Sequence, residues 1–176
     1  MSRPAPRSAT VRSVHVSLES HLGSRQVARV VYGSIIGLAL IVALSQHPPG
    51  PGAEIAWLVS TAVAVALAEV YSEVVGHETS TRHRVGREDV VSMVEDATAV
   101  AFGVGFPAVF FLFPLVGIGS VEGAFTVAKW TGLALIGFYG FWSARFAGAS
   151  VVRALVHAAL VALIGAALIA LKAFVH

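Results

Sequence analysis

Glu69, Glu73 and His77 stand four residues apart in ALAEVYSEVVGHE, residues 66–78, at the end of an apolar run that begins at Ala53. On a helix, that spacing lines two carboxyls and an imidazole along one side, where they can bind a cation or pass a proton. More acids, Glu88, Glu95 and Asp96, open the next apolar stretch. In mid-bilayer a charged side chain costs ~2.5–3.5 kcal/mol even on a lenient insertion scale. Four unpaired carboxylates, Glu69, Glu73, Glu95 and Asp96, would approach ~10 kcal/mol, comparable to the stability of a whole domain. Such groups must be protonated, paired, hydrated or bound to a cation.

The surrounding chain makes hydrocarbon the expected solvent. Of 176 residues, 56% are hydrophobic and 12% charged, against about 25% charged in soluble domains. Five apolar segments, roughly 28–45, 54–76, 93–116, 123–144 and 152–174, approach the ~20 residues that span a bilayer as a helix. The expected fold is therefore all-α and polytopic: a tail over residues 1–25, then a five-helix transmembrane domain over 26–176. Arginines precede the first segment (Arg3, Arg7, Arg12, Arg25, Arg29), follow the second (Arg82, Arg84, Arg87) and follow the fourth (Arg145, Arg153). By the positive-inside rule this alternation puts the N-terminus in the cytoplasm and the C-terminus outside. The expected location is a bacterial-type plasma membrane, with the lipid bilayer as first partner. In the tail, Val14, Leu18 and Leu22 share a face that predicts a short interfacial helix.

Helical spacing also predicts which sides face protein. On the second segment, Glu69, Ser72, Glu73 and Gly76 align with Ala62 and Ala66, opposite Val63, Leu67, Val70 and Val74. On the third, Glu88, Ser92, Glu95, Asp96, Ala99 and Gly103 form a stripe opposite Val90, Val94 and Val104. With a cytoplasmic loop over about 77–88, Glu69 and Asp96 each lie ~12 Å deep, near the middle of a ~30 Å core. Glu73 then faces Ser92 nearer the cytoplasm. Few cations are in reach: Lys129 belongs to the other half, and Arg145 and Arg87 reach Glu73 or Glu88 but hardly Glu69. His157 on the last segment has a suitable depth, and Tyr32 and Tyr139 can hydrogen-bond from the first and fourth. The candidate metal set is Glu69, Glu73, Glu95, Asp96 and His157, an oxygen-rich site for a divalent metal ion or a proton relay. For Glu73, Glu88 and Glu95 the alternative is solvation at the interface beside loop arginines.

Gly33 and Gly37 form a G-x-x-x-G pair that predicts close helix approach and a homodimer through the first helix. Pro107 and Pro114, with Gly103 and Gly105, predict a kinked third helix. The chain has no cysteine, which excludes disulfides, thiolate metal sites and cysteine nucleophiles. No nucleophile–base constellation is present, so the chain is not read as an enzyme. The basic residues mark topology, not nucleic-acid binding.

The pattern from about Glu19 onward resembles the vacuolar iron transporter family. ESHLGSRQVARVVYGSIIGL is similar to that family's opening, and LAEVYSE to the Gly-Glu-Tyr-x-Ser ending of its second helix, with Glu69 at the Glu position. AFGVGFPAVFFLFPL resembles its third helix, and FAGASVVRALVHAALVALIGAAL its basic turn and last helix. The resemblance implies five membrane helices, a cytoplasmic N-terminus, a dimer around the first helices and cation transport. Ile36 stands where the family has a metal-binding Asp, and Val65 where it has a Met. The cytoplasmic metal-collecting helices are missing from the short loop between the second and third segments. These departures favour a second expectation, a non-transporting scaffold or partner subunit that keeps the fold without the metal site.

Overall fold

The computed structural model describes the backbone of residues 8–174 and the side chains of 26–167 and 170. Among these residues the chain is all-helical: α1 (Ser8–Leu44), α2 (Pro51–Thr81), α3 (Arg87–Gly105), α4 (Ala108–Leu115), α5 (Val121–Phe146) and α6 (Val151–Phe174). The boundaries follow local chemistry. Pro51, whose fixed φ suits the first turn, opens α2 after Gly50 at φ 99°, and Arg82 in the left-handed region closes it. Asp89 accepts the Gly86 N–H at 3.1 Å to start α3, and Ser120 Oγ accepts the Gly123 N–H at 3.0 Å to start α5.

α1 crosses the expected tail boundary at residue 26 without a break. The side chains of Val14, Leu18 and Leu22, and with them the interfacial face, lie outside the described residues. α2 continues past His77 to Thr81, which leaves only residues 82–86 as the link to α3. The expected kink is present: Pro107 has no N–H to offer Gly103, and α3 and α4 meet at 45°.

The Gln26–Leu44 part of α1 and the whole of α2 are long and apolar enough to cross a membrane; α3 and α4 pass the same test only when taken together as one bent pair, a broken span or a re-entrant loop. Val151–Ala167 of α6 is a shorter apolar stretch. In α5, Glu122, Thr126, Lys129, Thr131 and Tyr139 dilute the apolar content. The apolar helices are compatible with an integral membrane protein, as is the outward display of Trp57, Leu67, Tyr71, Trp130 and Leu163.

α1 and α3 make the tightest seam. Gly33 abuts the backbone of Val100, and Gly37 that of Val104, so the two helices run parallel with a constant offset. From α3, Gly103 abuts Val30 and Ser34 in return. The glycine pair expected to hold a second copy is thus covered by α3 of the same chain. α2 packs along α3, α5 along α1 and α6, and α4 bridges α2 and α5. A buried cluster of Ile41, Leu58, Ala108, Phe111, Ala124, Phe125 and Ala128 joins the α4 end, with the Phe111 and Phe125 rings edge-on at 4.9 Å.

Candidate functional site

Three of the predicted acids converge at the other end of the bundle. α2 turns Glu69 and Glu73 inward on the face that also carries Leu58 and Ala62, at four- and three-residue steps. α3 presents Asp96, buried, from a face made of Met93, Asp96, Ala97, Val100, Gly103 and Val104. Between the two helices, α1 inserts Arg29. Its guanidinium pairs with Glu69 through Nη1 and donates through Nη2 to Glu73, while Nη2 lies 3.7 Å from Asp96 Oδ2. Arg29 is 25% exposed, against 16% for Glu69, 18% for Glu73 and 9% for Asp96, so the pairs are shielded but not sealed.

Arg29 is the member of the cluster that the sequence reading leaves as a topology marker at the edge of the first segment. The signal was available: Arg29 precedes Gly33 by one helical turn, and Gly33 precedes Gly37 by another. Any partner helix reached by the two glycines is reached by Arg29 as well.

The other expected members stand elsewhere. Glu95 is exposed, a 100° step around α3 from Asp96, and Glu88 and Ser92 are exposed with it. Ser92 Oγ donates to the Asp89 carbonyl at 2.9 Å instead of facing Glu73. Val104, expected on the opposite side, is fully buried. On α2, Ser72 and Gly76 likewise turn outward. Ala97 and Gly103 are small residues of α3 buried against protein, and the stripe through Glu88, Ser92 and Glu95 lies rotated off that contact.

His157 is exposed on α6, which packs on α5 and α1, away from the acids. Tyr32 is 51% exposed. Arg145 donates to the Ala149 carbonyl at 2.8 Å, and Arg87 is exposed. Lys129 lies in an apolar groove with Thr126, Trp130, Leu133 and Ala166. His77, expected in the loop, sits inside α2 with Nε2 3.8 Å from Asp89 Oδ2.

Glu69 and Glu73 together outweigh the one guanidinium they share by one negative charge when both are ionised. Protons or a metal cation can supply the balance, and either competes with Arg29 for the same oxygens. The guanidinium occupies the centre on which the acceptors converge. Among the described residues, no group of three or more His, Cys, Asp or Glu side chains is arranged to hold a metal ion. Compared with protein-family models, curated proteins and solved structures, the chain matches none.

Proposed function

We propose that the chain is a small integral membrane protein of five passes that handles cations through Glu69, Glu73 and Asp96, with Arg29 as a built-in counter-charge. In this reading α3 and α4 form the third pass, α5 the fourth and α6 the fifth, with the N-terminus cytoplasmic, as the arginine pattern favours. The chain is a divergent relative of the vacuolar iron transporters, a relation supported by the residues quoted for the resemblance, Glu69 foremost. The observation that carries the reading is that two inward carboxylates, Glu69 and Glu73, share one guanidinium in a chain built of apolar helices. A purely structural ion pair needs one acid for one arginine. Surplus acids at a membrane-embedded site are costly unless a cation visits them.

The cycle we envisage is an exchange of partners. When a proton or divalent cation neutralises Glu69 and Glu73, the guanidinium loses its acceptors there and keeps only Asp96. When the cation leaves, Arg29 returns and holds the acids in charge balance, so the empty site does not collapse into an unpaired cluster. Calorimetric titration of the purified chain with protons, manganese, zinc and iron(II) tests this. Saturable binding that is lost in Glu69→Gln supports a cation site. The second reading, a non-transporting scaffold, is favoured by Arg29 itself, which already supplies positive charge to the cluster. It gains if no tested cation binds saturably.

A further inference from the structure

At the opposite end of α2 from Arg29 lies a carboxyl that the cation reading does not use. Glu54 is 0% exposed, and neither of its carboxyl oxygens has a hydrogen-bond partner among the described residues. It belongs to the same inward face as Leu58 and Ala62, whose next polar members are Glu69 and Glu73. Leu58, one turn along, sits in the apolar cluster with Phe111, Phe125 and Ala128. The start of α2 lies against α4, where Gly52 faces the Leu115 side chain. An ionised carboxylate in such surroundings loses its hydration with nothing in exchange, whereas a neutral carboxylic acid is tolerated.

We propose that Glu54 is a proton-binding site at the end of the bundle opposite the Arg29 cluster, exchanging its proton with water at the 45–50 loop. The surrounding charges leave the proton as the fitting ligand. α4 carries no ionisable side chain. On α1 the described ionisable residues, Arg29 and Tyr32, lie towards the other end, as do Arg87, Glu88, Asp89, Glu95 and Asp96 on α3. Among the described residues, Glu122 and Lys129 on α5 and His47 in the loop are the groups at this end, and none pairs with Glu54. One carboxyl with no second ligand offers a metal cation too little coordination. A route to water is short: Glu54 lies in the first turn of α2, its N–H donating to the Gly50 carbonyl at 3.0 Å, and residues 46–49 are exposed. Glu54 and Glu69 are fifteen residues apart on α2, or ~22 Å along its axis, so the helix carries two separate acid stations.

The site stands apart from the cation reading, because its proton is detectable whether or not any ion moves. Infrared spectra of the full chain in liposomes at pH 7 are compared between wild type and Glu54→Gln. The expected difference is a missing carbonyl band of a protonated carboxylic acid, which in wild type shifts on exchange into deuterated water. A missing carboxylate band in its place overturns the proposal, and so does a protonated band that never shifts in deuterated water. Thermal unfolding gives a second readout that tolerates a poorly folding variant. Glu54→Leu, of similar size and without charge, is expected to unfold at the same temperature as wild type or higher. A lower unfolding temperature for both Glu54→Leu and Glu54→Gln would mean that the carboxylate has a charged partner, and would also overturn the proposal.

Discussion

Arg29 decides the energetics of the cluster, because among the described residues it is the one cation that meets Glu69, Glu73 and Asp96 together. Removing it takes the shared guanidinium away from Glu69 and Glu73. Breaking a fully buried pair costs ~3–5 kcal/mol, and these side chains are 9–25% exposed, so Arg29→Gln is expected to cost about 2–4 kcal/mol in reversible unfolding in detergent. Arg29→Lys should recover only part of that loss, since a point ammonium cannot fork between two carboxylates. Adding Glu73→Gln to Arg29→Gln should restore stability by lowering the charge excess; strictly additive losses would contradict a shared network. The three acids were legible from spacing, because four-residue steps on α2 and the depth of Asp96 on α3 follow from helical geometry alone. Their arginine was legible only as a member of the glycine face of α1; which acids it meets was not, because pairing depends on how α1 and α3 slide against each other. Gly33 opposes Val100 and Gly37 opposes Val104; the same offset carries Arg29 to Asp96, but nothing in the sequence states that offset.

Among the elements, the α1–α3 seam sets this register, and glycine makes the seam possible. A Cβ on Gly37 would lie 2.8 Å from the Val104 carbonyl oxygen, and one on Gly103 would lie 2.6 Å from the Ser34 nitrogen. These neighbours are backbone and cannot rotate aside. Gly33→Ala, the tightest case, is expected to cost about 2 kcal/mol or more and to weaken the Arg29 pairs, since the helices must part. Gly76→Ala is the control: nothing lies within 4 Å of that position, and a stabilisation of ~0.5–1 kcal/mol is expected from the helix propensity alone. Equal effects of the two substitutions in denaturant unfolding would contradict the seam. The G-x-x-x-G pair was read correctly as a close-packing surface, but a motif of small residues does not say whose helix fills it. The bend at Pro107 was legible because a missing N–H has one local consequence. The rotation of α3 was not, because Glu95 and Asp96 are adjacent and a polar stripe drawn through both cannot tell which one faces inward.

At the scale of the whole molecule, the charge pattern and the helices make a prediction about sides. The chain lacks cysteine, so single cysteines report their own position. Cysteines replacing His83 and Gly119 should react with an impermeant thiol reagent from opposite sides of the membrane, while one replacing Leu67 should stay unlabelled in the bilayer. Labelling of both from one side would contradict the five-pass arrangement. Composition made the apolar helical character plain, whereas the two-ended placement of acids along α2 needed the burial of Glu54 to become visible. The central claim is that cations use the acids gathered on Arg29. Flux of protons, iron(II), manganese and zinc into proteoliposomes tests it most directly, with wild type set beside Glu69→Gln, Glu95→Gln and His157→Ala. The account predicts saturable flux of at least one of these ions in wild type, its loss in Glu69→Gln, and its retention in the Glu95 and His157 variants, whose side chains stand apart from the cluster. No flux of any tested ion in wild type, or unchanged flux in Glu69→Gln, would contradict it.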